Sequence, residues 1–238
     1  MRTSIAVFSL TAVMMIISSC RKVIGEGPLI TEIRPVANFT GVSTEISGKA
    51  NVTISSDYKV EITAQQNILD VLNTNVVNGV LHIDFKDNVR VRAYEDITVN
   101  ISMPVADYFR LSGSGNMDVN GDVVTNNLKL ILSGSGDIAV QTAAVADKID
   151  AEVSGSGNIS VANGSAVNED LDISGSGNIQ LAGVATQKTI THISGSCDVK
   201  VVVSQSLDAH ISGSGSVYYR GNPIISTHIS GSGKVIPF

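Results

Sequence analysis

Ile173-Ser174-Gly175-Ser176-Gly177-Asn178-Ile179 decides the fold, because the second half of the chain repeats it. Its Ser-Gly-Ser-Gly core starts at Ser112, Ser133, Ser154, Ser174, Ser194, Ser212 and Ser230, with one variant, Ser194-Gly195-Ser196-Cys197. Successive starts lie 21, 21, 20, 20, 18 and 18 residues apart. A near-constant period of this size marks a solenoid, in which each coil buries its apolar face only against its neighbours.

Outward from the tetrapeptide, the flanks alternate. One residue before each first Ser stands Leu111, Leu132, Val153, Ile173, Ile193, Ile211 or Ile229. Five residues after it stands Met117, Ile138, Ile159, Ile179, Val199, Val217 or Val235, and seven after it Val119, Val140, Val161, Leu181, Val201, Tyr219 or Pro237. These are period-2 strands on both sides of a bend, each with one apolar face. Stacking at about 4.8 Å per coil would put like residues into columns around a continuous aliphatic core. The bend falls on the glycines, which take positive φ without a Cβ penalty. The structural corner is therefore assigned to Gly113 and Gly115, Gly134 and Gly136, Gly155 and Gly157, Gly175 and Gly177, Gly195, Gly213 and Gly215, and Gly231 and Gly233. After each corner comes Asn116, Asp137, Asn158, Asn178 or Asp198, then Ser216 and Lys234, most of which suit turns and side-chain ladders. Parallel crossovers are overwhelmingly right-handed. The expected fold is all-β, a right-handed parallel β-helix with coils of about 18–21 residues. A more irregular β subdomain precedes it. Its alternating runs are 51–54, 59–63, 80–85 and 97–101, with a short helical turn at 67–72 and one degenerate echo of the corner, Ile46-Ser47-Gly48-Lys49.

The expected organisation is a signal peptide at 1–19, a tether at 20–28, the irregular subdomain at 29–103 and the β-solenoid at 104–238. Arg2, the apolar run 5–17 and Ile17-Ser18-Ser19-Cys20 resemble a bacterial lipobox, which implies cleavage before Cys20 and its acylation. The run is too short to span a bilayer as a helix. With Cys20 carrying lipid, Cys197 has no partner and no disulfide framework exists. The membrane is thus a partner through the anchor. Arg21-Lys22 brings no Asp after the cysteine, which favours the outer membrane, with periplasmic and surface placement both open. A formal net charge of −6 without a basic cluster argues against nucleic acid as a partner.

The entry Phe39-Thr40-Gly41-Val42, the strand Gly79-Val80-Leu81-His82-Ile83, the strand end Met103-Pro104 and the repeated Ser-Gly-Ser-Gly-Asn/Asp corners together resemble the head GIN domain family ("putative auto-transporter adhesin") of Bacteroidetes-type lipoproteins. The resemblance covers about residues 33–238. It implies a non-catalytic, adhesin-like envelope protein, and it brings no catalytic residues and no cofactor. Cys197 for Gly, and Ser216 and Lys234 for Asn/Asp, are departures from its corner pattern.

Two outward columns carry the remaining chemistry. Two residues before each first Ser lie Arg110, Ile131, Glu152, Asp172, His192, His210 and His228; four before it lie Tyr108, Lys129, Asp150, Asp170, Ile190, Asp208 and Ser226. Asp150, Glu152, Asp170 and Asp172 are therefore expected as a four-carboxylate patch, with His192, His210 and His228 stacked beside it. Such a face would suit Ca²⁺ on the carboxylates, a transition metal on the imidazoles, or a pH response; a solvated polar face is the plainer alternative.

The leading function is a non-catalytic envelope lipoprotein that binds or scaffolds envelope or extracellular components, a protein or a polysaccharide, with homo-oligomers possible. The alternative is a polysaccharide lyase or hydrolase on a pectin-lyase-like β-helix, for which the absence of Trp and an aromatic content of 4% leave few sugar-stacking platforms. A second alternative is a small-ligand or lipid-binding module in the first half.

Overall fold

The computed structural model describes residues 21–238, so the expected signal peptide and Cys20 lie outside the described residues. The strands in chain order are β1 Arg21–Ile24, β2 Leu29–Ile33, β3 Gly41–Thr44, β4 Gly48–Ile54 and β5 Lys59–Gln65. Helix α1, Gln66–Leu69, follows, then β6 Leu72–Val77, β7 Val80–Phe85, β8 Val89–Ala93 and β9 Ile97–Met103. The repeats form β10 Tyr108–Gly113, β11 Asn116–Gly134, β12 Asp137–Gly155, β13 Asn158–Ser165 and β14 Asn168–Gly175. They continue as β15 Asn178–Gly195, β16 Asp198–Gly213, β17 Ser216–Arg220, β18 Ile224–Gly231 and β19 Lys234–Pro237.

These strands stack as a β-solenoid of about six turns. On the face before the corner, β7, β3, β10, the later parts of β11 and β12, β14, the later parts of β15 and β16, and β18 lie side by side, all parallel. On the face after it, β9, β4, the early parts of β11 and β12, β13, the early parts of β15 and β16, β17 and β19 do the same. A third, shorter face pairs Asp122 with Thr142, Ala143 with Gly164 and Ala185 with Val202. The register matches the sequence columns: Ser133 pairs with Ser154, Ser154 with Ser174 and Ser194 with Ser212. The three aliphatic columns form the core, and Met117, Ile138, Ile159, Ile179, Val199 and Val217 are fully buried.

The sheet is continuous across the boundary expected between residues 103 and 104, because β3 pairs with β10 and β4 with β11. The echo at 46–49 is the corner of a true coil. The chain enters the stack one coil in from its end. It then passes outward through β5 to β9, and β10 lands on the free side of β3, so the coil of β7 and β9 lies outside that of β3 and β4. Antiparallel pairing is confined to that end. There β6 caps β7 antiparallel, β5 caps β9 antiparallel, β2 covers β5, and β1 pairs with β8. The helical turn occupies 66–69 rather than 67–72, since Leu72 already opens β6. The opposite end has no such cover among the described residues: every residue of β18 is exposed, Ile224 by 81%.

The two glycines of each corner do different work. The first carries the positive φ, +136° at Gly155 and +129° at Gly175. Those at the second position, such as Gly136 and Gly157, do not appear among the positive-φ residues. They are small because the stack is tight: a Cβ on Gly157 would overlap the carbonyl oxygen of Gly136 and come within 2.8 Å of Leu132 Cδ2. The expectation of positive φ therefore holds only for the first column; the second answers a steric demand. Cys197 occupies this second column and is fully buried. Burial pushes its thiol pKa up. With Cys20 substituted, a thiol reagent should label nothing in the native protein and one thiol per chain after unfolding; rapid native labelling would contradict this placement.

After the corner, the Asn/Asp column forms a ladder. Asn158 donates its side-chain amide to Asp137 Oδ1 at 2.8 Å, and Asn178 donates to Asn158 Oδ1 at 2.8 Å. The backbone N–H groups of Asp198 and Ser216 then donate to Asn178 Oδ1 at 3.0 Å and Asp198 Oδ1 at 3.1 Å. Ser216 thus ends the side-chain run without leaving the acceptor before it unpaired.

Candidate functional site

The candidate site is the outward face of the strands that precede the corner. Alternation buries the column one residue before Ser and exposes the next one out, so Glu152, Asp172, His192, His210 and His228 come into line. Glu152 pairs with Asp172, Asp172 with His192, His192 with His210 and His210 with His228. The imidazoles stack face to face, with centroids 4.8 Å apart from His192 to His210 and 4.7 Å apart from His210 to His228. That spacing is the distance between coils. Identical 18-residue intervals in these last coils keep the rings in phase, and the second pair is inclined by only 4°.

Asp150, Glu152, Asp170 and Asp172 also come together, but not as a bare carboxylate patch. Lys129 reaches Glu152 at 2.6 Å and Asp150 at 3.5 Å. Lys148 reaches Asp150 at 3.4 Å and Asp170 at 3.5 Å. The hydrogen bond to Glu152 raises the pKa of Lys129 against a partial desolvation. For Lys148 desolvation is the largest influence and works downward, yet Asp150 and Asp170 together outweigh it and the pKa rises. A lattice of alternating charge explains why like carboxylates tolerate coil spacing, and it leaves these three carboxylates already engaged. Asp172 has no lysine partner. Burial raises its pKa, opposed by His192 and reinforced by Asp170, Glu152 and Asp150. Because the lysines are more than a third exposed, Lys129→Gln should cost only about 0.5–1 kcal/mol, and less in high salt, as read from urea unfolding at two ionic strengths.

This face forms one wall of a groove of about 760 Å³ that runs along the stack. Its other wall is the serine column, Ser133, Ser154, Ser174, Ser194, Ser212 and Ser230, and Val153, Ile173, Ile193 and Ile211 lie beneath. The expected corner glycines sit beyond the serine wall and shape the groove without entering it.

The sequence reading placed Asp208 in the outer column without joining it to the imidazoles, and it missed Glu169. Asp208 lies in the outer column and approaches His210 Nε2 at 3.4 Å and His228 Nδ1 at 3.9 Å, so the imidazole stack has its own carboxylate. Glu169 lies on the inward parity, 2% exposed, in a column where the flanking coils place Ile149 and Thr189 and the next coil places Leu207. Thr189 donates to its Oε2 at 2.8 Å, Thr186 stands 3.4 Å from the same atom, and Oε1 has no partner. Burial outweighs both hydroxyls and lifts its pKa to about 8. Glu169 is thus a protonated core residue at neutral pH rather than a member of the outer face.

Solved structures share the whole architecture. One described as a "putative adhesin" from Bacteroides fragilis superposes with a TM-score of 0.82 at 23% identity, covering 91% of this chain and 100% of that one. One described as a "Putative lipid binding protein" from Parabacteroides distasonis gives 0.75 at 24% identity over 92% and 100%. A "putative adhesin" from Parabacteroides merdae gives 0.73 at 23% over 92% and 99%. No curated protein matches the chain. The family model "Putative auto-transporter adhesin, head GIN domain" matches residues 38–223, from the strand entry at Asn38 and Phe39 through most of the stack, and the chain belongs to this head GIN domain family.

Proposed function

We propose that this chain is a non-catalytic cell-envelope lipoprotein, anchored through Cys20, whose groove holds an extended polymer such as an envelope or extracellular polysaccharide or peptide strand. The observation that carries the reading is the groove's repetition. The serine column recurs coil after coil from Ser133 to Ser230, facing a wall that runs from Glu152 and Asp172 to the three histidines, a surface matched to a ligand that itself continues rather than to a compact substrate. Family membership supports an envelope address, and among the described residues no helix is long and apolar enough to cross a membrane. The segment just after Cys20 is β1, held against β8 at the capped end of the stack. A lipid there would leave the groove and the opposite end projecting away from the bilayer.

Two measurements test this reading. Protease shaving of intact cells, compared with permeabilised cells, places the domain outside or inside the outer membrane; neither fraction carrying acylated protein would overturn the anchor. Incubation with a panel of acidic and neutral polysaccharides should give binding without new reducing ends or unsaturated products, and turnover would establish the lyase or hydrolase alternative. A second reading, an acyl chain in the groove, draws on the description of the Parabacteroides distasonis neighbour. Displacement of a fluorescent fatty acid by unlabelled lipid, but not by polysaccharide, would favour it.

A further inference from the structure

We infer that Asp208, His210 and His228 form a binding site for a borderline divalent transition cation such as Zn²⁺. The site goes beyond the groove reading and does not depend on it. One ligand atom from each residue lies within 4.8 Å of the other two. Asp208 Oδ1 stands 3.4 Å from His210 Nε2 and 3.9 Å from His228 Nδ1. Tetrahedral zinc with bonds of about 2.0–2.2 Å places its donors roughly 3.3–3.6 Å apart. The Asp208–His210 edge already has that length, and binding requires the exposed His228 ring to turn out of its parallel stack on His210 so that the other two edges shorten.

A second observation points at a ligand. Asp208 Oδ1 is shielded from solvent and accepts no hydrogen bond, although the rest of its side chain is open. A shielded carboxylate oxygen without a donor is costly unless a cation answers it. No lysine does so here: the ion pairs of Lys129 and Lys148 go to Asp150, Glu152 and Asp170, two coils and more away. The donor set also separates the cations. Two imidazoles and one carboxylate suit zinc, copper or nickel, whereas calcium wants six to eight oxygens. The carboxylate patch that would offer oxygens is bridged by lysines, so the metal preference moves from the acidic end of the face to the imidazole end.

The three donors come from adjacent coils, Asp208 and His210 on β16 and His228 on β18. Cation binding therefore ties the last, uncovered coil to the one before it. His228 is the most exposed of the three, at 66%, so the cation keeps open positions toward solvent for water or an oxygen donor of a bound anionic ligand.

The experiment is calorimetric titration of chelator-treated full-length protein with ZnCl₂, repeated on His210→Gln, Asp208→Asn, His192→Gln and His82→Gln. The expected result is one Zn²⁺ per chain, affinity reduced more than about tenfold by His210→Gln and by Asp208→Asn, and little change for His192→Gln or His82→Gln. Circular dichroism checks that each variant is folded, and Asp208→Asn keeps the side-chain shape. Absence of zinc binding in the parent protein would overturn the site. So would binding of equal strength in His210→Gln and Asp208→Asn, or binding that depends as strongly on His192 as on His210.

Discussion

Glu169→Gln should flatten the pH dependence of stability between about pH 4.5 and 8, and should make the protein more stable than its parent at pH 9. The sign follows from the direction of the shift. In the folded state the carboxyl pKa is raised from 4.5 to about 8 because ionisation would leave a charge in the core. Folding therefore favours the protonated acid. The parent has its full stability below the unfolded value and loses it progressively as pH rises toward the folded value. A shift of this size corresponds to at most about 5 kcal/mol at alkaline pH. The hydroxyls of Thr189 and Thr186 favour the charged form, and burial outweighs them. The substituted amide cannot ionise, so urea unfolding at pH 4.5, 7 and 9 should show variant and parent close together in acid and several kcal/mol apart in base. Parallel curves across that range would contradict the burial of Glu169. Glu169→Leu should show the same divergence in base, because it removes the ionisable group altogether.

Gly155→Ala should destabilise the solenoid by roughly 3 kcal/mol or more, because it combines two faults. Gly155 holds a φ of +136°, outside the range that L side chains adopt readily. A methyl group there would also overlap the carbonyl oxygen of Gly134 in the coil before, and backbone on a tight stack cannot give way as a side-chain tip can. Ser156→Ala, one residue on and exposed, is the matched control and should change stability by less than about 0.5 kcal/mol. Equal unfolding midpoints for the two variants would show that the corner is not under this constraint. Cys197 sharpens the comparison. It sits in the second-glycine column, where space rather than φ is limiting. There, Ser196 N–H still donates to Gly175 O at 3.0 Å, as Ser176 N–H does to Gly155 O at 2.9 Å in the coil before. One side chain larger than hydrogen is thus tolerated in the second column, while the first column, Gly113 through Gly231, is glycine in every copy.

The columns were legible in the sequence because a solenoid turns linear period into spatial neighbourhood. Once Ser133, Ser154 and Ser174 are aligned, every residue at the same offset is a neighbour, and the burial of Met117 through Val217 and the stacking of His192, His210 and His228 follow. The path of the first coils was not legible. The partners of β4 are β9 and β11; both follow it by dozens of residues, and neither β4 nor β9 carries a full corner motif to set its phase. A single Gly48, packed against Ile97, stands where later coils have two glycines. The site was half legible for a related reason. Offsets identify which residues share a face but not how long side chains reach across columns, so Lys129 and Lys148 neutralised carboxylates that looked bare. Glu169 did carry a signal. It lies four residues before Ile173, on the same parity as the core column, and a carboxylate at a core parity is a buried titratable group unless the strand breaks.

The polymer-binding account rests on the groove, and the groove can be filled without touching the core. Ser174 and Ser194 are exposed on its wall, in adjacent coils. The Ser174→Trp/Ser194→Trp double variant should keep the parent's unfolding midpoint and occlude the channel between the serine and histidine walls. The deciding measurement is biolayer interferometry of parent and double variant on immobilised polysaccharides that bind the parent. The account predicts binding by the parent that is lost in the folded double variant, with the polymer left intact. Undiminished binding by the double variant would contradict it.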